Sequence, residues 1–386
     1  MNPLNILFLD HVGVLGGAEL SLLDIARHYK ASSSVLLFDD GPFRARLEQN
    51  GVSVNVVRAP SQVSGASREG GLQSLLATPG VLLMALRVAR DARRFDLLYA
   101  NSQKALVIAA VAGRLARRPV VWHLRDMLTQ EHFSRFNRRV AVTLANGFVA
   151  RVIVNSQATA DAFVQSGGNA SLTRVVYNGF DPAPFDAVRE EDIAALKAEL
   201  GVQDARIVSV FSRLAPWKGQ HVLLEALSHL PEDVHALIVG EAIFGEREYA
   251  AALREQVRAL GLGARVHFLG FRGDIPTLMR ASDVVVHAST SPEPFGRVVV
   301  EGMLAGKPVV ATRAGGVLEI VEDAQSGLLV EPGDADDLAR ALNYLLAHPA
   351  EATRVAEAGR RRALGTFSLN ALLDGVASQL SELQTK

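Results

Sequence analysis

Short runs of consecutive apolar, mostly β-branched residues recur along the chain, and helical stretches separate them. Continuous hydrophobicity over four or five positions, in place of strict alternation, marks strands covered on both faces, and strands alternating with helices predict parallel βαβ units. Seven runs begin at Asn5, Val35, Val54, Leu97, Val120, Val152 and Arg174, and six more at Ile207, Ala236, Val266, Val284, Val309 and Leu328. The pattern predicts an α/β chain of two Rossmann-like, doubly wound domains. Ligands are expected outside the carboxyl ends of the strands, in a cleft between the domains.

Length supports the division, since one hydrophobic core stops growing well short of 386 residues. The turn-rich segment Asn178-Gly-Phe-Asp-Pro-Ala-Pro-Phe185, followed by a polar helix from Glu190 to Leu200 and then Gly201, sets the boundary. Residues 1–185 form the first domain and 186–366 the second, with a C-terminal helix at about 367–386 free to pack back on the first. The Ser- and Gly-rich residues 60–71 read as a mobile loop inside the first domain.

An apolar fraction of 49% and a charged fraction of 21% are those of an ordinary soluble protein. The absence of cysteine removes disulfides, thiolate metal sites and cysteine nucleophiles together. The N-terminus lacks a basic region before its apolar run and meets Asp10 early, unlike a signal peptide, and no apolar run is long enough to span a bilayer. A cytoplasmic protein is expected. Net charge is -1, yet residues 1–185 hold 20 basic and 13 acidic side chains, a net of +7, which leaves -8 for the remainder. Clusters at Arg87/Arg90/Arg93/Arg94, Arg114/Arg117/Arg118 and Arg135/Arg138/Arg139 suit peripheral contact with anionic lipid at the inner face of the membrane, or with a phosphorylated acceptor. The alternative is solvated helix faces. Nucleic acid is not an expected partner.

The chemistry gathers around Ser291-Pro-Glu-Pro-Phe-Gly-Arg-Val-Val-Val-Glu301. A Pro-Phe-Gly loop opens a helix whose first turn, from Phe295 through Gly296 and Arg297 to Val298, offers unpaired amides and the positive end of a dipole to a phosphate. Glu293 and Glu301 can then accept hydrogen bonds from sugar hydroxyls and a ribose diol. The alternative pairs Glu301 with Arg297 four residues before it. In Val210-Phe-Ser-Arg-Leu-Ala-Pro-Trp-Lys-Gly219 a strand delivers Arg213 to its tip and a short loop brings Lys218 to the next helix start, two cations suited to a diphosphate. Gly16 and Gly17 lie in a glycine-rich loop after the first strand, without dinucleotide-fingerprint spacing. His123 ends Val120-Val-Trp-His, where a barely buried imidazole would point into the cleft. Asn101, Ser102, Ser156 and Asn178 are weaker candidates at strand ends. No His-Glu-x-x-His or Cys/His spacing occurs, and Asp334-Ala-Asp336 reads as a helix N-cap rather than a metal site.

Taken together, these motifs resemble glycosyltransferase family four, the retaining sugar-nucleotide transferases of the GT-B fold. The resemblance runs from Gly16-Gly17-Ala-Glu19 to Gly327-Leu-Leu-Val. It rests on Arg213…Lys218-Gly219, Glu293-Pro-Phe-Gly…Glu301 and Gly306-Lys-Pro-Val-Val…Gly315-Gly316…Glu319 standing in order at the family's spacings. It implies transfer of a hexosyl residue from a nucleotide diphosphate sugar, UDP- or GDP-linked, to a glycan or lipid-linked saccharide, in polysaccharide or glycolipid synthesis.

By the same resemblance, Arg213 and Lys218 hold the diphosphate in place of a divalent metal, with no cofactor. Glu293 contacts the sugar, Glu301 the ribose, and Phe295, Gly296, Arg297 and Val298 supply amides. Gly16 and Gly17 approach the diphosphate, His123 matches the histidine near the donor sugar, and Arg272 falls where the base rests. The implied reaction is a front-side displacement in which the departing diphosphate helps deprotonate the acceptor. Two departures stand out: Gly302 replaces the usual alanine, and Leu124 and Arg125 separate His123 from Asp126 where the family often has an acid directly after the histidine. A GT-B epimerase or inverting transferase, or a non-catalytic sugar-phosphate binder, are the rival readings.

Overall fold

The computed structural model describes residues 4–58, 79–131, 133–243 and 245–384. The loop expected at residues 60–71 lies outside the described residues. The chain forms two compact units, one running to Gly179 and completed by the terminal helix Leu369–Gln384, the other running from Phe180 to Ser368.

Among the described residues the first unit holds seven parallel strands: β1 (Ile6–Asp10), β2 (Ser34–Leu37), β3 (Ser53–Val56), β4 (Leu97–Ala100), β5 (Val120–Leu124), β6 (Arg151–Val154) and β7 (Thr173–Val175). They stand in the order β3-β2-β1-β4-β5-β6-β7. Every residue of β1, β2, β4, β5 and β6 is buried, as their unbroken apolar runs require of strands with a layer on each face. One layer gathers Trp122, Leu98 and Phe163; the other gathers Phe8, Tyr99 and Val121 with Leu372, Val376 and Leu380 of the terminal helix. Arg151 fixes that helix from β6, donating to Gln379 Oε1 at 2.6 Å and Glu382 Oε2 at 2.8 Å.

The second unit has six parallel strands: β8 (Arg206–Phe211), β9 (Val234–Val239), β10 (Val266–Gly270), β11 (Val284–His287), β12 (Val309–Thr312) and β13 (Leu328–Val330). Their order is β10-β9-β8-β11-β12-β13. Two Rossmann-like domains are therefore present, with all thirteen strands where the apolar runs predict them. Each sheet reverses its winding once, between β1 and β4 and between β8 and β11, and such reversals open the crevices in which doubly wound sheets bind ligands.

Local signals set the helix starts. Ser102, Ser156 and Asp334 each cap a helix, accepting from the amides of Ala105 at 3.3 Å, Thr159 at 3.0 Å and Asp337 at 2.8 Å. Ser102 and Ser156 therefore serve as caps, and Asp334 does what its sequence position suggests. Gly302 lies inside helix Arg297–Leu304 where the helix meets the sheet: a Cβ there would sit 2.9 Å from Val285 Cγ1 and 3.1 Å from Val309 Cγ2. The missing methyl lets the helix carrying Glu301 lie directly against β11 and β12.

Candidate functional site

In the second unit, the loops after β8 and β11 meet over the crevice. After β8 the chain passes Arg213 and makes a single 3-10 turn, Pro216–Lys218, that leads into helix Gln220–Ser228. Trp217 carbonyl accepts from the Thr290 amide at 2.9 Å, tying this turn to the loop after β11. Lys218 Nζ donates to Glu293 Oε1 at 2.6 Å and stands 4.3 Å from the Trp217 ring centre. Arg213 lies 5.4 Å from the same ring and donates to Glu246 Oε1 at 2.9 Å.

Glu293 is buried, and donors converge on one of its oxygens. Besides Lys218, His287 Nε2 lies 2.9 Å from Oε1, and Ser289 Oγ donates to it as well. Thr312 Oγ1, from β12, contacts the other nitrogen of His287 at 3.3 Å. Burial alone would raise the Glu293 carboxyl, but the charge of Lys218, then that of His287, and the hydrogen bonds from both hold it well below the usual carboxylate value. The loop carrying Glu293 is held from behind by Gly315 and Gly316. Gly316 N donates to Glu293 carbonyl at 2.9 Å, and a Cβ on Gly315, at φ 60°, would lie 2.3 Å from that carbonyl oxygen. The sequence presented these two glycines as part of a motif; their role as a backstop emerges only in three dimensions.

Gly296, at φ 105°, is the N-cap of helix Arg297–Leu304, and the Arg297 and Val298 amides precede the helix's own hydrogen bonds. Phe295 is buried between Phe180, stacked at 6.3 Å, and Phe367, edge-on at 5.6 Å, so its side chain anchors the loop while its backbone faces the helix start. Arg297 covers the Phe180 ring at 4.5 Å and donates to Glu301 Oε1 at 3.2 Å. The pairing of Arg297 with Glu301 at four-residue spacing is thus formed. Arg272, after β10, grips Asp274 through two bonds of 2.8 and 2.6 Å and reaches Glu199 at 3.2 Å; these partners keep it fully charged.

The first unit contributes a separate buried polar cluster at the tips of β1, β4 and β5. Its centre is Arg125, whose Nε donates to Asn101 Oδ1 at 2.7 Å, Nη1 to Ser21 Oγ and Asn178 Oδ1, both at 2.9 Å, and Nη2 to His123 Nδ1 at 3.1 Å. Asn101 and Asn178, the candidates at strand ends, are thus both joined to Arg125. Sequence reasoning gave Arg125 no role, although an arginine directly after a buried strand signals an internal partner. His123 overturns one expectation: it is fully buried, because it shares a strand face with Val121 and Tyr99 beneath the layer containing the terminal helix. A guanidinium only donates, so Nδ1 accepts and the ring proton resides on Nε2, which has no partner among the described residues. Burial, reinforced by Arg125, lowers the His123 pKa well below its ordinary value, and the ring stays neutral.

Gly16 caps helix Gly17–His28 in extended conformation, and a Cβ on it would lie 2.7 Å from Glu19 Oε2. Glu19 is buried one turn inside that helix. Burial first, then the neighbouring Asp10, push its carboxyl up to about 8.

Known proteins share this fold. Residues 16–179 match the glycosyl transferase 4-like domain, and residues 192–362 match the glycosyl transferases group 1 family. The chain superimposes on Anabaena HepE, solved in complex with UDP and glucose, with a TM-score of 0.90 and 46% identity, covering 98% of this chain and 99% of that one. HepE has also been solved with UDP-glucose. Over 178 residues the chain is 35% identical to the lipopolysaccharide core biosynthesis glycosyltransferase LpsE of Rhizobium meliloti (strain 1021), covering 46% of this chain and 50% of LpsE. Over 201 residues it is 36% identical to the D-inositol 3-phosphate glycosyltransferase of Mycobacteroides abscessus, covering 51% and 44%. The chain spans about half the length of the curated relatives it matches.

Proposed function

The chain belongs to the GT4-type glycosyltransferases of the GT-B fold, and from that membership we propose that it moves a hexosyl residue, with retention, from a UDP-sugar to a hydroxyl of a glycan or lipid-linked saccharide. The observation that carries this reading is the Lys218–Glu293 pair spanning the β8/β11 crevice beside the open amides of Arg297 and Val298. HepE, alike over nearly its whole length, binds UDP-glucose, which makes that donor the first to test.

In this mechanism Lys218 and Arg213 stabilise charge developing on the leaving diphosphate, the first-turn amides bind its oxygens, and Glu293 accepts from the sugar hydroxyls. Glu301 holds the ribose and Arg272 borders the base. Gly16 and Gly17 approach the diphosphate, and His123 serves as a neutral Nε2–H donor rather than a base. Two protein cations do the electrostatic work a divalent metal would do, so chelator is expected to leave the rate unchanged.

The acceptor side is proposed to meet anionic membrane through helix Pro79–Ala92, where Leu82, Leu83 and Leu86 are 55%, 58% and 47% exposed beside Arg87 and Arg90. No helix among the described residues is long and apolar enough to cross a membrane. Such surface attachment fits polysaccharide or glycolipid assembly from the cytoplasmic side.

A panel of UDP- and GDP-sugars, read by thermal shift and nucleotide release, tests the reading. The cognate donor raises the melting temperature and is consumed, and product anomer analysis reports retention. A folded protein that neither binds nor turns over any nucleotide sugar would refute the reading.

A further inference from the structure

The strands of the second sheet are all parallel, so the loops entering them gather at one edge and the loops carrying Lys218 and Glu293 at the other. At the entering edge, within the second unit, lies a cavity of about 560 Å³. Asp283 reaches it just before β11 and Lys307 just before β12. Lys197 comes from helix Glu190–Leu200, Arg280 from helix Ile275–Ala281 and Arg360 from helix Pro349–Thr366. Lys307 stands in the Gly306-Lys-Pro-Val-Val motif, and the function proposed above gives it no role.

These cations differ in what already holds them. Arg360 is committed, donating to Asp186 Oδ1 at 2.5 Å and to the Leu304 carbonyl. Arg280 stands 3.5 Å from Glu190, an exposed carboxylate whose attraction water screens. Asp283 turns its Oδ2 to the Ile207 amide at 2.6 Å. Lys197 and Lys307 are half-buried, and neither side chain makes a hydrogen bond or ion pair among the described residues. Burial lowers the Lys307 pKa; Asp283 opposes that shift, while Arg280 and Lys197 add to it. Lys307 is thus near enough to two other cations to be repelled by both, and an anion seated among the three would replace that repulsion with attraction.

We propose that Lys307, Lys197 and Arg280 form an anion site separate from the donor crevice, which takes phosphate, either as the free ion or as the head of a small phosphate monoester. Ammonium and guanidinium groups are the strong donors to phosphate oxygens. The cavity falls within the roughly 300–1,000 Å³ of small-molecule sites. It has room for more than a bare ion, and the carboxylates of Asp186 and Glu190 on its wall can accept from hydroxyls of a monoester. This inference does not depend on the transferase reading, since the cavity and the donor loops lie at opposite edges of the sheet.

The test is calorimetric titration of the full chain with inorganic phosphate and, separately, with glycerol phosphate, with thermal shift as a second readout. Both anions are expected to bind wild type and Lys218→Ala alike, because Lys218 belongs to the donor crevice. In Lys307→Gln and in Lys197→Gln, affinity falls about tenfold or more, the loss of one charge-assisted bond. Lys197 lies on a helix surface, so Lys197→Gln carries the test should Lys307→Gln fail to fold. Equal affinity for the two probes identifies the free ion as the ligand, and tighter binding of glycerol phosphate identifies a monoester. Unchanged phosphate affinity in the folded variants would overturn the assignment. So would loss of phosphate binding in Lys218→Ala, which would place the anion in the donor crevice, or failure of both probes to bind wild type at millimolar concentration. Failure of UDP to bind would count against the transferase reading and leave these outcomes unaltered.

Discussion

Lys218 Nζ and Glu293 Oε1, 75 residues apart in the chain, meet at 2.6 Å and so join the β8 tip to the loop after β11. The pair is mostly buried, so removing one partner strands the other. Lys218→Ala is expected to lower turnover about 10²- to 10³-fold, the usual cost of one electrostatic contact to the transition state. It also destabilises the fold by about 3–5 kcal/mol by leaving Glu293 uncompensated. Denaturant unfolding checks the second effect, and Lys218→Ala/Glu293→Gln separates the two by recovering stability without activity. Arg213→Ala, whose partner Glu246 is less enclosed, loses activity on the same scale with a smaller stability change.

Acid should expose the same carboxylate. The folded protein holds the Glu293 pKa well below its ordinary 4.5, so the unfolded chain takes up the proton first. The stabilisation is complete above 4.5 and is lost as pH falls toward the folded value. Glu293→Gln is expected to unfold with a shallower dependence on pH in that acid window, measured by urea midpoints at stepped pH.

Glu19 predicts the opposite slope. With its carboxyl pushed up to about 8, the native state keeps a proton that the unfolded chain loses from about 4.5 upward. This group therefore costs stability progressively as pH rises between those values. Glu19→Gln is expected to flatten that decline, gaining most at the alkaline end; a parallel curve would contradict the assignment of a proton to Glu19 at neutral pH.

Glu301→Ala removes the proposed ribose acceptor. Affinity for UDP should fall measurably in calorimetry, and unchanged affinity would leave Glu301 only its pairing with Arg297.

Gly302→Ala should be destabilising even though alanine favours helix by up to about 1 kcal/mol. The new methyl meets Val285 and Val309 at distances real Cβ atoms avoid, and overpacking costs about 1–3 kcal/mol. A lower melting temperature is expected, relieved in Gly302→Ala/Val285→Ala.

The strands were readable because a strand buried on both faces leaves an unbroken apolar run, a strictly local signature. Lys218 and Glu293 were readable as motif positions for a similar reason, each standing at a strand end in a short, recognisable loop. The convergence of His287 and Ser289 on Oε1 had no such sign, since it depends on how the turn after β11 folds back. Nor did the Asp10–Asn101 bond, whose partners lie 91 residues apart and meet only because β4 pairs with β1. His123 was misplaced for a related reason: in a run where every residue is buried, hydrophobicity does not say which residues face the ligand and which face a second layer of helices.

The backstop formed by Gly315 and Gly316 makes the Glu293 setting self-contained. Together with Lys218, His287 and Ser289, it sets both ends of Glu293, and all of these positions lie within one contiguous stretch of about a hundred residues. The setting of Glu293 is therefore carried wholly by the second unit, each of its side-chain bonds being made within that unit.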